Sequence, residues 1–289
     1  MKSFFKKIFS FLSKLIDKIL PKPKQITLEN GAIVNPPRSA SIYISIILLI
    51  VIYYFSIITE FDLEQLFRNF TNIFEFIARI FNPEFSYYST VIPKIFETIR
   101  MALLGTTIGS VLSLPVAFMI SSNINKNAKW FSVSVKIFLS LLRTFPMLVY
   151  AQIILLLFTP GSGPLVGTIS IAIFTFSILT KMLYEHIETI DLSAFEAIES
   201  TGITKTKAFI TAVMPDILPV YFSYSLYSFD INIRHSTILG YVGAGGIGVI
   251  LKRTLQGDQY EEAGMILLIV FIVIVSIEAL SKYIRRRLS

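Results

Sequence analysis

The sequence predicts an all-α fold, a polytopic bundle of about six transmembrane helices. Three observations predict it. Of 289 residues, 54% are hydrophobic and only 16% are charged, with a mean hydropathy of +0.69. Soluble domains carry roughly 25% charged residues. Uncharged runs of about 20 residues, the length a helix needs to cross the hydrocarbon core, recur along the chain. Strand patterns do not alternate with helical ones. The chain has no cysteine, which excludes disulfides and thiolate metal sites.

The elements follow in order. In residues 1–20, Lys6, Lys7, Lys14 and Lys18 interrupt any apolar core that a signal peptide would need. Phe4, Ile8, Leu12, Leu15 and Ile19 fall at helical spacing with the lysines largely opposite. That pattern suits a helix lying on an anionic membrane surface; a cytoplasmic tail with no such role fits equally. Pro21 and Pro23 end it, and residues 1–38 form an N-terminal tail. Residues 39–94 hold a first span, Ser39 to Thr59, and an extracytoplasmic segment. There Phe61, Leu66, Phe70, Phe74 and Ile77 predict an amphipathic helix at the interface.

Residues 95–289 form the core. Met101 to Asn125 is a second span. A third begins at Trp130, is interrupted by Arg143-Thr144-Phe145-Pro146, and resumes to Phe158. Thr159 to Pro164 reads as a tight turn. Leu165 to Thr180 (continuing towards Tyr184), Ala208 to Ser228 and Ala263 to Leu280 are the remaining spans. Lys126 and Lys129, Lys205 and Lys207, and Lys282 with Arg285 to Arg287 then fall on one face, together with the lysine-rich tail. Basic loops stay inside, so both termini are expected in the cytoplasm. This topology accounts for the net charge of +7 without a nucleic-acid partner.

The loop between spans four and five is the most informative. Ser193-x-x-Glu196 reads as a capping box, and Gly202 as a helix stop. Ala194 to Thr201 is therefore expected to form a two-turn helix, with Phe195 and Ile198 on one face and small Ala194 and Ala197 beside them. Such a helix suits docking into a partner's groove or resting on lipid.

Glu196-Ala197, Gly202 and Pro215 resemble the signature loop of permease subunits in binding-protein-dependent ABC importers, with Ile198 and Pro219 as departures. "YSLYSFDINIRHSTILGYVGAGGIG" and "LLRTFPMLVYAQIILLL" are similar to the phosphonate-importer permeases among them, and the similarity runs over roughly residues 95–288. The resemblance implies a bacterial plasma-membrane permease, working as a dimer of permeases. It also implies ATP-binding subunits that carry ATP and Mg, and an extracytoplasmic substrate-binding protein. Loop 190–207 would be the coupling helix, with Glu196, Ala197, Gly202 and Pro215 contacting the ATPase.

Gly243-x-Gly245-x-x-Gly248 also matches a dinucleotide fingerprint. That motif needs strand–helix–strand units, which this chain lacks. Gly243, Gly245, Gly246 and Gly248 are instead expected in a packed bend or gate beside the translocation path, or in a simple extracytoplasmic loop. Asp230, Asn232 and Arg234 follow the fifth apolar run, and Arg143 breaks the third. Charges at membrane depth usually face protein or water, so these four are candidates for the path. Asp230 and Arg234 at i,i+4 are equally expected to pair with each other, and Arg143 to snorkel at a kink. Two histidines, His186 and His235, cannot form a His cluster for a metal. The chain has no G-x-x-x-x-G-K-[ST], so ATP hydrolysis belongs to another subunit. A secondary transporter would show paired broken helices in two repeats, and no such repeat stands out. Another oxyanion or a phosphate ester remains open as the substrate.

Overall fold

A computed structural model describes residues 26–27, 33–34, 40–157 and 163–288. The expected surface helix at 1–20 and most of the turn at 159–164 lie outside these. The chain forms two compact units, residues 1–73 and 74–289. In the first, β1 (Ile26–Thr27) and β2 (Ile33–Val34) pair antiparallel, with Ile26 opposite Val34. Helix α1 (Ala40–Ile58) has 19 residues and no charge, which makes it about 28 Å long. Asp62 Oδ1 caps α2 (Leu63–Arg68) by accepting the Glu64 and Gln65 N–H groups at 2.9 and 3.2 Å. The expected single amphipathic helix is two: α2 stops at Asn69, and α3 (Phe70–Ile80) follows.

The second unit carries the bundle. Its helices are α4 (Tyr88–Ile120), α5 (Lys129–Thr144), α6 (Met147–Leu155), α7 (Gly163–Thr189), α8 (Ser193–Ser200), α9 (Lys205–Ala208), α10 (Met214–Leu239), α11 (Ile247–Gln256) and α12 (Tyr260–Leu288). Helices α4 and α7 run parallel and nearly touch. A Cβ on Gly105 would sit 2.6 Å from the Ile171 side chain, and one on Gly109 would sit 2.7 Å from the Ala172 carbonyl. In lipid, where apolar surface alone gives helices no reason to associate, such small residues let backbones approach and gain dispersion contacts. Asn232 of α10 ties the pair together. Its Nδ2 donates to Thr106 Oγ1 and Thr175 Oγ1, both at 2.7 Å. Bonds of this kind in membranes contribute about 0.6 kcal/mol each.

Four helical segments are long and apolar enough to span a membrane: Phe85–Ile120, Gly163–Thr189, Lys205–Val242 and Tyr260–Arg287. The expected third span is not a straight crossing, because α5 and α6 meet at 89°. Pro146 is the reason: it forces Phe145 out of the helical region, to φ −86° and ψ 131°. A second proline is absorbed differently. Phe209–Val213 forms one wide π-turn just before Pro215, which then sits in the first turn of α10. The wider turn shifts the hydrogen-bond pattern where proline offers no N–H.

Candidate functional site

The candidate site has two parts at opposite ends of the bundle. At one end α8 stands apart from the long helices. It is built from the residues expected to form it, but its start differs. Ser193 is the first helical residue and makes no capping box. Asp191 takes both Ser193 groups instead: Oδ1 accepts the N–H at 2.9 Å and Oδ2 accepts the hydroxyl at 3.0 Å. An ionised carboxylate is the stronger acceptor, and these two bonds hold the Asp191 pKa below the ordinary aspartate value. Glu196 is left to face Lys126 at 3.4 Å. At the far end Gly202 has φ +87°, the left-handed stop that its position suggested.

The docking face is also redrawn. Phe195 points into the bundle, 2% exposed, against a cluster that includes Ile124, Leu183, Ile187 and Phe209. Ala194, Glu196 and Ala197 remain on the outer side. Thus Phe195 is an anchor, and the small residues with Glu196 form the exposed surface. Lys205 Nζ donates to the Ile124 carbonyl at 3.0 Å and lies 3.8 Å from Glu199. A network missed in the sequence braces this end. Lys136 of α5 reaches Glu188 of α7 at 2.7 Å and Ser122 Oγ at 2.9 Å, while Glu188 accepts the Ser122 N–H at 2.6 Å.

At the other end the glycine segment is a packed bend between two helices, not a strand-to-helix turn. Leu239 closes α10, and Gly243, Gly245 and Gly246 take φ of +87°, +81° and +74°. Gly240 and Gly248 face each other so closely that a Cβ on Gly248 would lie 1.9 Å from the Thr237 carbonyl oxygen. Gly163 and Gly167 of α7 pack on the backbone of Gly243 and Ala244. The free N–H groups that start α11 are taken by α4. Gly246 N–H donates to Glu97 Oε1 at 2.8 Å, and Ile247 N–H to Thr98 Oγ1 at 2.7 Å. A carboxylate there also complements the positive end of the helix dipole. No periodicity points to Glu97, so sequence reasoning missed it.

The four path candidates are not brought together. Asp230 and Arg234 do not pair with each other. Arg234 Nη2 reaches Glu278 Oε2 at 2.6 Å, and Asp230 Oδ2 accepts from Arg285 Nη2 at 3.2 Å, both across the antiparallel α10–α12 contact. Cross-helix partners prevail because the 230/234 face of α10 lies against α12. Asn232 points the other way and is 1% exposed within the subunit. Arg143 Nε donates to the Leu139 carbonyl at 3.2 Å beside the bend. A cavity of about 230 Å³ lies beside Asn232, between Thr175, Ser228 and His235. Among the described residues, no group of three or more His, Cys, Asp or Glu is placed to hold a metal.

Fold and site together define a membrane-embedded transport subunit rather than a dinucleotide enzyme. Residues 109–289 match the binding-protein-dependent transport system inner membrane component family, and the chain belongs to it. It is 31% identical over 225 residues to the phosphite transport system permease protein PtxC of Stutzerimonas stutzeri, covering 78% of this chain and 81% of that one. It is 33% identical over 192 residues to the phosphate-import permease protein PhnE of Mycolicibacterium smegmatis, covering 66% of this chain but only 36% of that longer one. A putative cryptic phosphonate transport system permease protein PhnE2 of Escherichia coli is 34% identical over 118 residues, which is 41% of this chain and 97% of that one. Among solved structures, the inward-facing MetNI methionine ABC transporter superposes with a TM-score of 0.60 at 18% identity, over 71% of this chain and 99% of that one. A bacterial ABC transporter importing alginate gives 0.54 at 16%, over 85% and 95%. At those identities the likeness speaks for the fold.

Proposed function

We propose that this chain is the permease subunit of an ATP-driven importer for a small phosphorus oxyanion of the phosphonate, phosphite or phosphate class. It forms the path and carries no catalytic residue of its own. The observation that carries the reading is α8. A two-turn helix is anchored to the bundle by Phe195, stopped by Gly202, and leaves Ala194, Glu196 and Ala197 exposed. That surface fits a groove on an ATP-hydrolysing subunit, with ATP and Mg held there. The substrate class follows from the relatives' names. A second copy of the permease and an extracytoplasmic binding protein complete the assembly, and loop 190–207 is its coupling segment.

Gly202→Val tests the coupling role. Beyond its chain neighbours, no described residue comes within 4 Å of a Cβ at Gly202, so only backbone conformation is at stake. A β-branched residue in the left-handed region costs about 1–2 kcal/mol, enough to reset the end of α8. Uptake and stimulated ATP hydrolysis should fall about tenfold, as roughly 1.4 kcal/mol dictates, with insertion unchanged. Gly202→Asn should be tolerated, because asparagine accepts this conformation. Full coupling in Gly202→Val would remove α8 from the mechanism.

Orientation is part of the proposal: both termini and α8 in the cytoplasm, the glycine bend outside. The chain has no cysteine, so single Glu64→Cys and Arg286→Cys variants report cleanly. In intact cells an impermeant thiol reagent should label position 64 and leave 286 untouched; labelling at 286 reverses the assignment.

A further inference from the structure

We infer that Arg100 is the anion-binding cation of the path at the glycine-bend end, and that it makes transient contact with the phosphorus oxyanion in transit. This rests on the importer reading above.

Some basic side chains of the bundle helices have counter-ions, and others, Arg253 among them, have no ion pair among the described residues. Lys94 pairs with Glu97, Lys136 with Glu188, Lys181 with Glu185, Arg234 with Glu278 and Arg285 with Asp230. Arg143 is held by a carbonyl. Arg100, exposed on α4, makes no hydrogen bond or ion pair with any described residue. Its nearest acidic neighbour on the helix is Glu97, one turn away, but that carboxylate is committed on both oxygens. Oε2 takes Lys94 at 2.7 Å and Oε1 takes the Gly246 N–H at 2.8 Å.

The setting gives this unpaired charge a role. From Met101 to Asn125 no residue is charged, so Arg100 stands at the boundary of the apolar stretch. It lies in a groove of about 660 Å³ between the glycine-bend ends of α4 and α7, walled by Met101, Leu104, Ile108, Leu165 and Ile169. An arginine at such a wall avoids lipid and faces water or protein. Low-dielectric walls focus its field into the groove and raise the local concentration of anions. The guanidinium fork matches the oxygens of a tetrahedral oxyanion. Glu97 one turn away repels the same anion, which keeps the contact short-lived, as passage requires. The cation is also next to the bend. Arg100 and the Glu97–Gly246 bond share one turn of α4, so the anion arrives beside the joint between α10 and α11.

The test uses the whole importer in proteoliposomes with its binding protein and ATP, following labelled methylphosphonate and phosphite. Arg100→Gln should lower the maximal uptake rate about tenfold or more, because one charged contact to the anion is lost. Complex yield, binding-protein affinity and ATP hydrolysis stimulated by the binding protein should be unchanged, and Arg100→Lys should keep much of the rate. Arg100→Cys supplies the decisive arm. Modification with aminoethyl methanethiosulfonate, which restores a positive charge, should recover uptake; the sulfonatoethyl reagent should not. Wild-type rates in Arg100→Gln, or equal recovery with both reagents, would overturn the inference while leaving the importer reading intact. A lipid headgroup is the competing source of the same chemistry. If wild-type uptake requires phosphatidylglycerol in the vesicles and Arg100→Gln removes that requirement, Arg100 binds lipid and the inference fails. A wild-type importer that moves neither anion would overturn both readings.

Discussion

Gly248→Ala should prevent assembly of a stable transporter, whereas Gly243→Ala should leave assembly nearly intact. Both glycines belong to the same bend, but they serve it differently. At Gly248 the added carbon would lie 1.9 Å from the Thr237 carbonyl oxygen and 2.9 Å from Gly240 Cα. Both are backbone atoms, so no side chain can swing aside, and α10 and α11 must part. Overpacking with freedom to adjust costs about 1–3 kcal/mol, and a backbone obstacle exceeds that range. Gly243 has φ +87°, and beyond its chain neighbours no described residue comes within 4 Å of the new carbon. Alanine there meets only the left-handed penalty of about 1–2 kcal/mol. Yield of the detergent-solubilised complex and its melting temperature check the pair. Equal behaviour of the two variants would refute close packing as the reason for the bend.

Arg285→Met should be nearly as damaging, and Asp230→Asn in the same chain should restore most of the loss. Asp230 is only 7% exposed, and Arg285 at 3.2 Å is its ion-pair partner, beside a hydrogen bond from Ser281. Removing one partner of a buried pair leaves a bare charge, at a cost of about 3–5 kcal/mol. Neutralising both removes the charge that has to be desolvated. The same cycle for Asp230 and Arg234 should show the smaller coupling, since Arg234 is engaged by Glu278. Thermal stability of the four combinations in each cycle decides. A larger 230–234 coupling would mean that the i,i+4 pair is the real one.

The contrast between those two cycles shows what a linear sequence can and cannot reveal. Local rules worked where the cause was local. Apolar length found the long helices, Pro146 marked the break in the third, and Gly202 marked the stop of α8. They failed where the cause was another helix. Asp230 and Arg234 satisfy the spacing of a pair, but the partners that hold them are 55 and 44 residues further along the chain. Glu97 looks like an ordinary boundary charge until α11 is seen to start on it. Phe195 and Ile198 mark an apolar face, but only the fold tells which neighbour that face meets. Arg100 is the inverse case: it has no counter-ion among the described residues, which sequence spacing cannot show.

The π-turn at Phe209–Val213 fixes a phase. An α-helix advances about 100° per residue, so the one surplus residue in the wide turn sets the angle between everything before it and everything after it. Before it stand Phe195 in its socket and Lys205 on the Ile124 carbonyl; after it stand Asn232 against Thr106 and Thr175, and Asp230 against Arg285. The two sets of attachments are in step only while that residue is present. An exposed loop absorbs insertions and deletions by bulging. This stretch cannot, because each residue gained or lost rotates α10 by more than a quarter-turn against its own anchor. In this protein, the count of residues between the coupling end and the middle of the bundle is therefore as constrained as their identity.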